Sequence, residues 1–282
     1  SEVVNRYNFS GKSDLERENF SIDERNKLKE MISFWSEEST ILGKLENNIP
    51  SDLRKATENE VANMEGRLSG AQLNFKKLLK LGIPGLKKEV LKYRELAVRS
   101  KSDVKLFDGM LEALELLTDV CENYAVQADQ LAEISNNSGP KEEFKRIAEV
   151  LRKIQEEKPE TLREAIQLFW IYALISGVLN YGRLDDFLGD FYVNDLEKGL
   201  ITEERALDYL VSLWELIADR GIEFNGRVII GGRGRENEET ADKFALLAME
   251  ATRIVKETEP QLSLRFYQGM NPELMEKALD VI

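Results

Sequence analysis

A stretch of apolar residues near the middle of the sequence constrains the fold more than any other feature. Thr161 and Glu164 form a capping box, which predicts the start of a helix that runs to about Ile175. The residues Ile-Gln-Leu-Phe-Trp-Ile-Tyr-Ala-Leu-Ile that follow are apolar around the whole helix circumference. A helix of this kind must be covered on every side, so we expect it to lie inside a large fold.

The remaining sequence is dominated by a helical period. Ser21 to Ser36 predicts a first amphipathic helix, with Ser21 as its cap three residues before Glu24. Glycine and proline signals separate further predicted helices. These helices are expected at about 51–66, 72–80, 84–98, 103–134 and 141–156.

Two runs predict β-strands, at 227–230 and at 261–266. Between them a predicted helix, Glu239 to Lys256, is long enough for a right-handed crossover between parallel strands. Residues 176–183 are a weaker strand candidate because they contain two glycines. The sequence therefore predicts an α/β fold that is predominantly helical, and we treat 1–282 as one structural unit.

The composition excludes several chemistries. The 282 residues contain no histidine and a single cysteine, so the chain has no histidine base or ligand and no internal disulfide or paired-cysteine metal site. The formal charge of −13 argues against binding to nucleic acid or to an anionic membrane. The longest apolar run is too short to span a bilayer and the N-terminus resembles no signal peptide, so we expect a cytoplasmic protein.

A glycine-rich segment, Gly231-Gly232-Arg233-Gly234-Arg235-Glu236, lies between a predicted strand and a predicted helix. Backbone N–H groups in that position can bind phosphate. The spacing matches neither the dinucleotide fingerprint nor the P-loop. We therefore favour a tight turn with both arginines exposed to solvent.

Other reactive side chains are weaker candidates. Cys121 lies within a predicted helix and has no nearby basic residue to lower its pKa, which favours a buried and inert thiol. Carboxylates could serve acid–base chemistry or Mg²⁺, but at helix starts they more often interact with the helix dipole. These are Asp185, Asp186, Glu236, Glu238 and Glu239. We predict no catalytic residue and no metal site in this chain.

The segment 176–192 is the most informative for function. Arg183, Asp185 and Asp186 alternate there with apolar residues directly after the buried helix. Charge so close to a core must be paired, for example Arg183 with a carboxylate. A buried ion pair at a helix start and a contact to substrate both remain open as explanations.

Several sequence blocks occur in an order typical of one family. They are Pro159–Trp170, Gly182–Leu188, Phe191–Glu204, Ile229–Gly232, Glu259–Arg265 and Asn271–Leu274. With these blocks, the chain resembles the glycyl radical enzymes of the pyruvate formate-lyase-like and dehydratase-like types over most of 20–282.

The resemblance implies a ten-stranded β/α barrel made of two halves and wrapped by helices. This chain would be its N-terminal half, helical over 1–160 and with barrel elements over 161–282. In the family, an iron–sulfur activating enzyme installs a glycyl radical in a C-terminal loop. That radical abstracts hydrogen from a cysteine in a mid-barrel loop, and the resulting thiyl radical attacks the substrate.

Neither loop lies within the 282 residues, and Cys121 does not align with the thiyl cysteine. We therefore expect the chain alone to be catalytically incomplete. It would need a C-terminal half or a second subunit to act as an anaerobic lyase or acyltransferase on a small molecule. Half a barrel exposes strand edges and apolar surface, so a homo-oligomer is a further expectation.

The sequence departs from the family pattern where substrate-facing loops are expected. Ser69-Gly70-Ala71-Gln72 stands where the family often has Ser-Gly-His, and the loops before Gly182 and before Arg227 are short. These losses favour the alternative of a degenerate, non-catalytic scaffold or binding protein. An unrelated acidic helical protein is a third possibility.

If the barrel half is present, five residues are expected to shape a polar substrate pocket. Four lie beside the buried helix and one lies on the last strand: Asn180, Tyr181, Arg183, Asp185 and Arg265.

Overall fold

A computed structural model describes residues 21–37, 48–51, 53, 73–221 and 226–281. The chain divides into two compact units, Ser1–Gly70 and Ala71–Ile282. Most of the helix predicted at 51–66 lies outside the described residues. The boundaries 1–282 of a single family domain stay a prediction.

The first unit contains helix α1, Ile22–Glu37. The Ser21 N–H donates to Glu24 Oε2 at 2.8 Å, and the Glu24 N–H donates back to Ser21 Oγ at 3.3 Å. This reciprocal pair is the capping box that the sequence predicts, and it fixes the start of the helix.

The second unit consists of helices around a small parallel sheet. Its helices are α2 (Phe75–Arg99), α3 (Lys105–Ile134), α4 (Ser138–Glu156), α5 (Leu162–Ser176), α6 (Leu184–Glu197), α7 (Glu203–Ala218), α8 (Glu238–Val255) and α9 (Pro272–Val281). Its strands are β1 (Gly182–Arg183), β2 (Arg227–Gly231) and β3 (Gln261–Arg265). The prediction of a predominantly helical α/β fold is confirmed.

The predicted helices at 72–80 and 84–98 meet in α2 across a kink. Gly82 there has φ 67° and ψ 177°, outside the helical region, and Pro84 follows it. A Cβ at Gly82 would lie 2.7 Å from Lys158 Cα, so only glycine allows this close approach of the two backbones. The break that the sequence places at this point is therefore a sharp bend between two helical segments.

Helix α5 lies in the centre of the helical layer. It contacts α2, α3, α4, α6 and α7, and Leu162, Leu168 and Phe169 on it are fully buried. The ring of Phe169 lies 4.6 Å from that of Phe75 and 6.0 Å from that of Tyr181, measured between centroids. The prediction that this helix is covered is confirmed up to Leu174, whereas Ile175 at its C-terminal end is 37% exposed.

The tryptophans in α5 and α7 also belong to the core. Trp170 and Trp214 are buried, and the Trp214 indole N–H donates to Thr252 Oγ1 at 2.8 Å. The third tryptophan, Trp35, has a side chain outside the described part. No helix among the described residues is both long and apolar enough to cross a membrane.

The three strands form a parallel sheet in the order β1-β2-β3. Helix α8 connects β2 to β3, which confirms the predicted βαβ unit. Arg183 pairs with Ile229, and Gly231 pairs with Arg265. Because the strands run in one direction, β1, β2 and β3 all end on the same side of the sheet, which we call the carboxyl edge.

Strand β3 pairs with β2 on one side, and within the described residues no strand pairs with its other side. Leu262 and Leu264 on this strand are half-buried, and Phe266 directly after it is 61% exposed. The described sheet therefore ends in an open strand.

Candidate functional site

Arg183, the last residue of β1, lies at the carboxyl edge and binds backbone carbonyls. Its Nη2 donates to Gly231 O at 2.7 Å and to Gly232 O at 3.2 Å, and its Nη1 donates to Arg233 O at 3.1 Å. The sequence suggested a carboxylate as its partner, and the structure corrects this. Three consecutive carbonyls can face one guanidinium because Gly231 and Gly232 have φ values of 71° and 78°.

Asp185, in the first turn of α6, connects that helix to the end of β2. Its side chain is fully buried. Oδ2 accepts from Gly231 N at 2.7 Å and from Arg235 Nη1 at 3.1 Å, while Oδ1 accepts from Asp186 N at 2.9 Å. All these donors favour the ionised carboxylate, and this satisfies a charge that would otherwise be costly to bury.

Arg235 is the cation of this cluster. Its side chain is also fully buried, Nε donates to Gly232 O at 3.0 Å, and Nη2 lies 2.6 Å from Asp242 Oδ1. The contact to Asp242 is ionic and lacks good hydrogen-bond alignment. The prediction that Arg235 is exposed to solvent is wrong, because the turn folds back over α6 and brings this arginine to a buried carboxylate.

Burial and ion pairing shift the pKa values of the charged groups in this cluster in opposite directions. Burial raises the pKa of Asp185 to about 6, although the Gly231 N–H and Arg235 favour its ionised form. The pKa of Arg235 is raised, since Asp242 and Asp185 together outweigh the effect of burial. Near neutral pH the cluster therefore holds a charged arginine between two carboxylates.

A second carboxylate binds the outer part of the same turn. Asp186 Oδ1 accepts from Glu236 N at 2.7 Å, and Lys76 Nζ lies 3.0 Å from Asp186 Oδ2 and 2.9 Å from Glu236 Oε2. The N–H groups of Gly231 and Glu236 are thus bound to carboxylates of this chain. The predicted tight turn is present, and two of its N–H groups are occupied by carboxylates of this chain.

Arg265 and Arg233 complete the carboxyl edge. Arg265, at the end of β3, is exposed. Arg233 is exposed as predicted, yet it donates to Gln268 O at 3.0 Å and lies 5.2 Å from the centroid of the Tyr267 ring. We call Arg183, Arg233 and Arg265 the arginine edge. Among the described residues none of these three forms an ion pair with a carboxylate.

Gly232 lies between two of these arginines. A Cβ built there would lie 3.0 Å from Arg265 Cβ and 3.6 Å from Arg183 Nη2. Both arginine side chains therefore lie close to Gly232. The carboxylates of Asp185 and Asp186 bind the same turn, so the edge carries charges of both signs.

The other two predicted pocket residues, Asn180 and Tyr181, lie immediately before β1 and not at the carboxyl edge. Asn180 is half-buried, and its side chain accepts from Gly182 N at 3.1 Å. Tyr181 is fully buried, with its hydroxyl accepting from Arg220 Nη1 at 2.8 Å. Arg183, Asp185 and Arg265 are thus brought together at the carboxyl edge, whereas Asn180 and Tyr181 precede the strand. The role of all five in a substrate pocket stays a prediction.

The single cysteine lies away from this edge. Cys121 in α3 is fully buried, and burial raises the pKa of its thiol to about 11. The prediction that this thiol is buried is confirmed. Within the described part of the chain, no group of three or more acidic or cysteine side chains is placed to hold a metal ion.

Sequence reasoning missed Arg235 and Asp242. One signal for Arg235 was available: adjacent carboxylates next to a buried helix require a cation from elsewhere in the chain. Nothing local showed which cation, because the two residues of the ion pair are separated by 50 positions.

A family model described as pyruvate formate lyase-like matches residues 4–282. The chain belongs to this family. This confirms the resemblance to glycyl radical enzymes that the sequence blocks carry.

Two curated relatives and one solved structure show how much of such a protein this pyruvate formate lyase-like chain represents. It is 30% identical to trans-4-hydroxy-L-proline dehydratase of Clostridioides difficile over 213 residues, 70% of this chain and 27% of that one. It is 23% identical to the probable dehydratase YbiW of Escherichia coli over 296 residues, 93% of this chain and 36% of that one.

The solved structure concerns 1,2-propanediol dehydration in Roseburia inulinivorans. The two folds superpose with a TM-score of 0.74 at 20% identity, over 93% of this chain and 36% of that one. The pyruvate formate lyase-like chain therefore spans about a third of the length of these proteins.

The raised pKa of Asp185 predicts how stability depends on pH. The pKa is about 6 in the fold and 3.8 for an unburied aspartate, so ionisation costs free energy in the folded state. The contribution of Asp185 to stability is therefore highest below about pH 4 and falls as the pH rises to about 6. Between these values the wild type should lose up to about 3 kcal/mol relative to D185N, measured by urea unfolding. Parallel pH profiles for the two proteins would contradict the raised pKa.

The packing at Gly232 predicts different costs for two glycine substitutions in one turn. Gly232 and Gly234 have similar φ values of 78° and 81°, but a Cβ at Gly234 would meet nothing within 4 Å. G234A should cost about 1–2 kcal/mol from the left-handed backbone alone. G232A should cost more, because the added Cβ also displaces Arg265. Equal losses in chemical denaturation would show that the two arginines do not pack against Gly232.

Proposed function

We propose that this chain is the N-terminal portion of a glycyl radical lyase or dehydratase, and that its arginine edge binds an anionic group of a small-molecule substrate. The observation that carries the proposal is the arginine edge itself, Arg183, Arg233 and Arg265, at the carboxyl ends of parallel strands. Ligands of open α/β sheets bind outside these strand ends. None of the three forms an ion pair with a carboxylate among the described residues, which supports the binding of an anion there.

The open edge of β3 supports the assignment to half of a barrel. Its half-buried Leu262 and Leu264 need cover, and its free backbone groups need a partner strand. Helix α9 follows β3 as α8 follows β2, so a further parallel strand can pair with β3 in the same way. In this proposal a C-terminal half or second subunit supplies the remaining strands.

The residues that carry the radical are expected in that other half. Cys121 is unsuited to the thiyl role, since it is buried in α3 with no access to the carboxyl edge. The residues of this chain would bind and orient the substrate, and the chain alone would not convert the substrate to product. An iron–sulfur activating enzyme is an expectation for the complete protein.

The arginine edge favours a carboxylate over a neutral diol. A guanidinium binds a carboxylate through charge-assisted, often bidentate hydrogen bonds. The relative named trans-4-hydroxy-L-proline dehydratase acts on an amino acid, whereas the Roseburia structure concerns the dehydration of a neutral diol. We therefore propose a substrate with an anionic group.

The binding of trans-4-hydroxy-L-proline and of 1,2-propanediol to the chain tests this proposal. Titration with trans-4-hydroxy-L-proline, followed by calorimetry or NMR, should show weak but saturable binding. R265A should weaken that binding roughly tenfold, the value of one charged hydrogen bond. The matched control R227A, an exposed arginine at the other end of β2, should bind like the wild type.

The neutral 1,2-propanediol should bind more weakly, and R265A should leave its affinity unchanged. Equal affinity for the two compounds, or unchanged affinity for the amino acid in R265A, would contradict an anion site. Of the alternative of a degenerate, non-catalytic scaffold or binding protein, the scaffold form predicts no saturable binding of either compound to the wild type.

A further inference from the structure

We propose that Arg235, held by Asp185 and Asp242, is a positioning residue that fixes the guanidinium of Arg183 at the arginine edge. Its role is to hold the carbonyls of the glycine-rich turn where Arg183 can bind them. The inference rests on the proposed function in one respect, which is that the edge containing Arg183 binds a ligand.

The Gly232 carbonyl connects the two arginines directly. Gly232 O accepts from Arg183 Nη2 at 3.2 Å and from Arg235 Nε at 3.0 Å. Gly231 makes a second connection, because its N–H donates to Asp185 while its carbonyl accepts from Arg183 at 2.7 Å. A displacement of Arg235 or Asp185 therefore moves an acceptor of Arg183.

The turn needs such a constraint because its glycines are conformationally free. Gly231, Gly232 and Gly234 all have positive φ, and glycine loses more backbone entropy on ordering than any other residue. Without the buried bonds, the carbonyls would have no fixed direction. Arg183 would then lose the three acceptors that orient it.

Arginine suits this position and lysine does not. The planar guanidinium of Arg235 contacts oxygens on three elements: it donates to Gly232 O in the turn and to Asp185 Oδ2 on α6, and it forms an ion pair with Asp242 Oδ1 on α8. A lysine carries charge on one nitrogen and cannot match this fork geometry. R235K thus keeps the charge of the cluster but loses its geometry.

Arginine side-chain NMR of the ligand-free chain tests the inference. In ¹⁵N-arginine-labelled protein, the Arg183 guanidinium signals are assigned through their loss in R183K. In the wild type they should show restricted rotation about the Nε–Cζ bond. In R235K the Arg183 signals should move toward those of a solvated arginine and show faster rotation, while R253K, a surface arginine on α8, should leave them unchanged.

A double variant keeps the test valid if a single neutral substitution prevents folding. R235M alone leaves Asp185 as a buried unpaired charge, whereas D185N/R235M removes both charges. In the folded double variant the Arg183 signals should again become those of a mobile side chain. Restricted Arg183 signals in both R235K and D185N/R235M, with both proteins folded, would overturn the inference.

The same variants separate this inference from the proposed function. If the inference holds, R235K should bind trans-4-hydroxy-L-proline about fivefold more weakly than R253K. A wild type that binds no anion but has a restricted Arg183 would contradict the proposed function alone. Normal binding by R235K with an unchanged Arg183 signal would overturn the positioning role alone.

Discussion

The buried ion pair between Asp185 and Arg235 is the interaction on which the carboxyl edge depends. It joins the first turn of α6 to the turn after β2, and both side chains are fully buried. A buried pair of this kind gives little net stability compared with apolar packing, but breaking it is costly. Its value here is geometric, since together with Arg183 and Asp186 it fixes a glycine-rich turn.

The helical layer makes that burial possible. Strand β1 has only two residues and cannot exclude water by itself. Helix α5, covered by its neighbours, leads directly into the loop before β1, and its Phe169 packs on Tyr181. The apolar helix α5 and the charged cluster thus follow each other along the chain. The helix helps to exclude water, and this allows the ion pair of the cluster to be buried in a defined position.

The elements of the fold were predictable because their signals are local. The capping box at Ser21, the N-cap at Thr161 and the apolar circumference of α5 depend on residues within a few positions of each other. The predicted reciprocal bond of the second box is shifted by one residue, since Glu164 accepts from the N–H of Glu160 and not of Thr161. The βαβ unit follows from two short strands and the length of α8. The parallel pairing of β2 and β3 could be predicted from the lengths of these elements, without knowledge of side-chain contacts.

The candidate site was predictable only in part. Arg183, Asp185 and Arg265, three of the five predicted pocket residues, lie at strand or helix ends, and the structure brings them to one edge. The burial of Arg235 was missed because it depends on a contact between residues 50 positions apart. Asn180 and Tyr181 lie within three residues of Arg183 in sequence. They precede β1, however, whereas Arg183 lies at its carboxyl end.

Hydrogen exchange at the Gly231 amide tests the central claim most directly. Gly231 is the last residue of β2, and its N–H donates to the buried Asp185 carboxylate at 2.7 Å. If the ion pair fixes the turn, the Gly231 amide should exchange as slowly as the core amides of β2, through global unfolding. Exchange of the Gly231 amide at the rate of an open loop, in otherwise protected protein, would contradict the account.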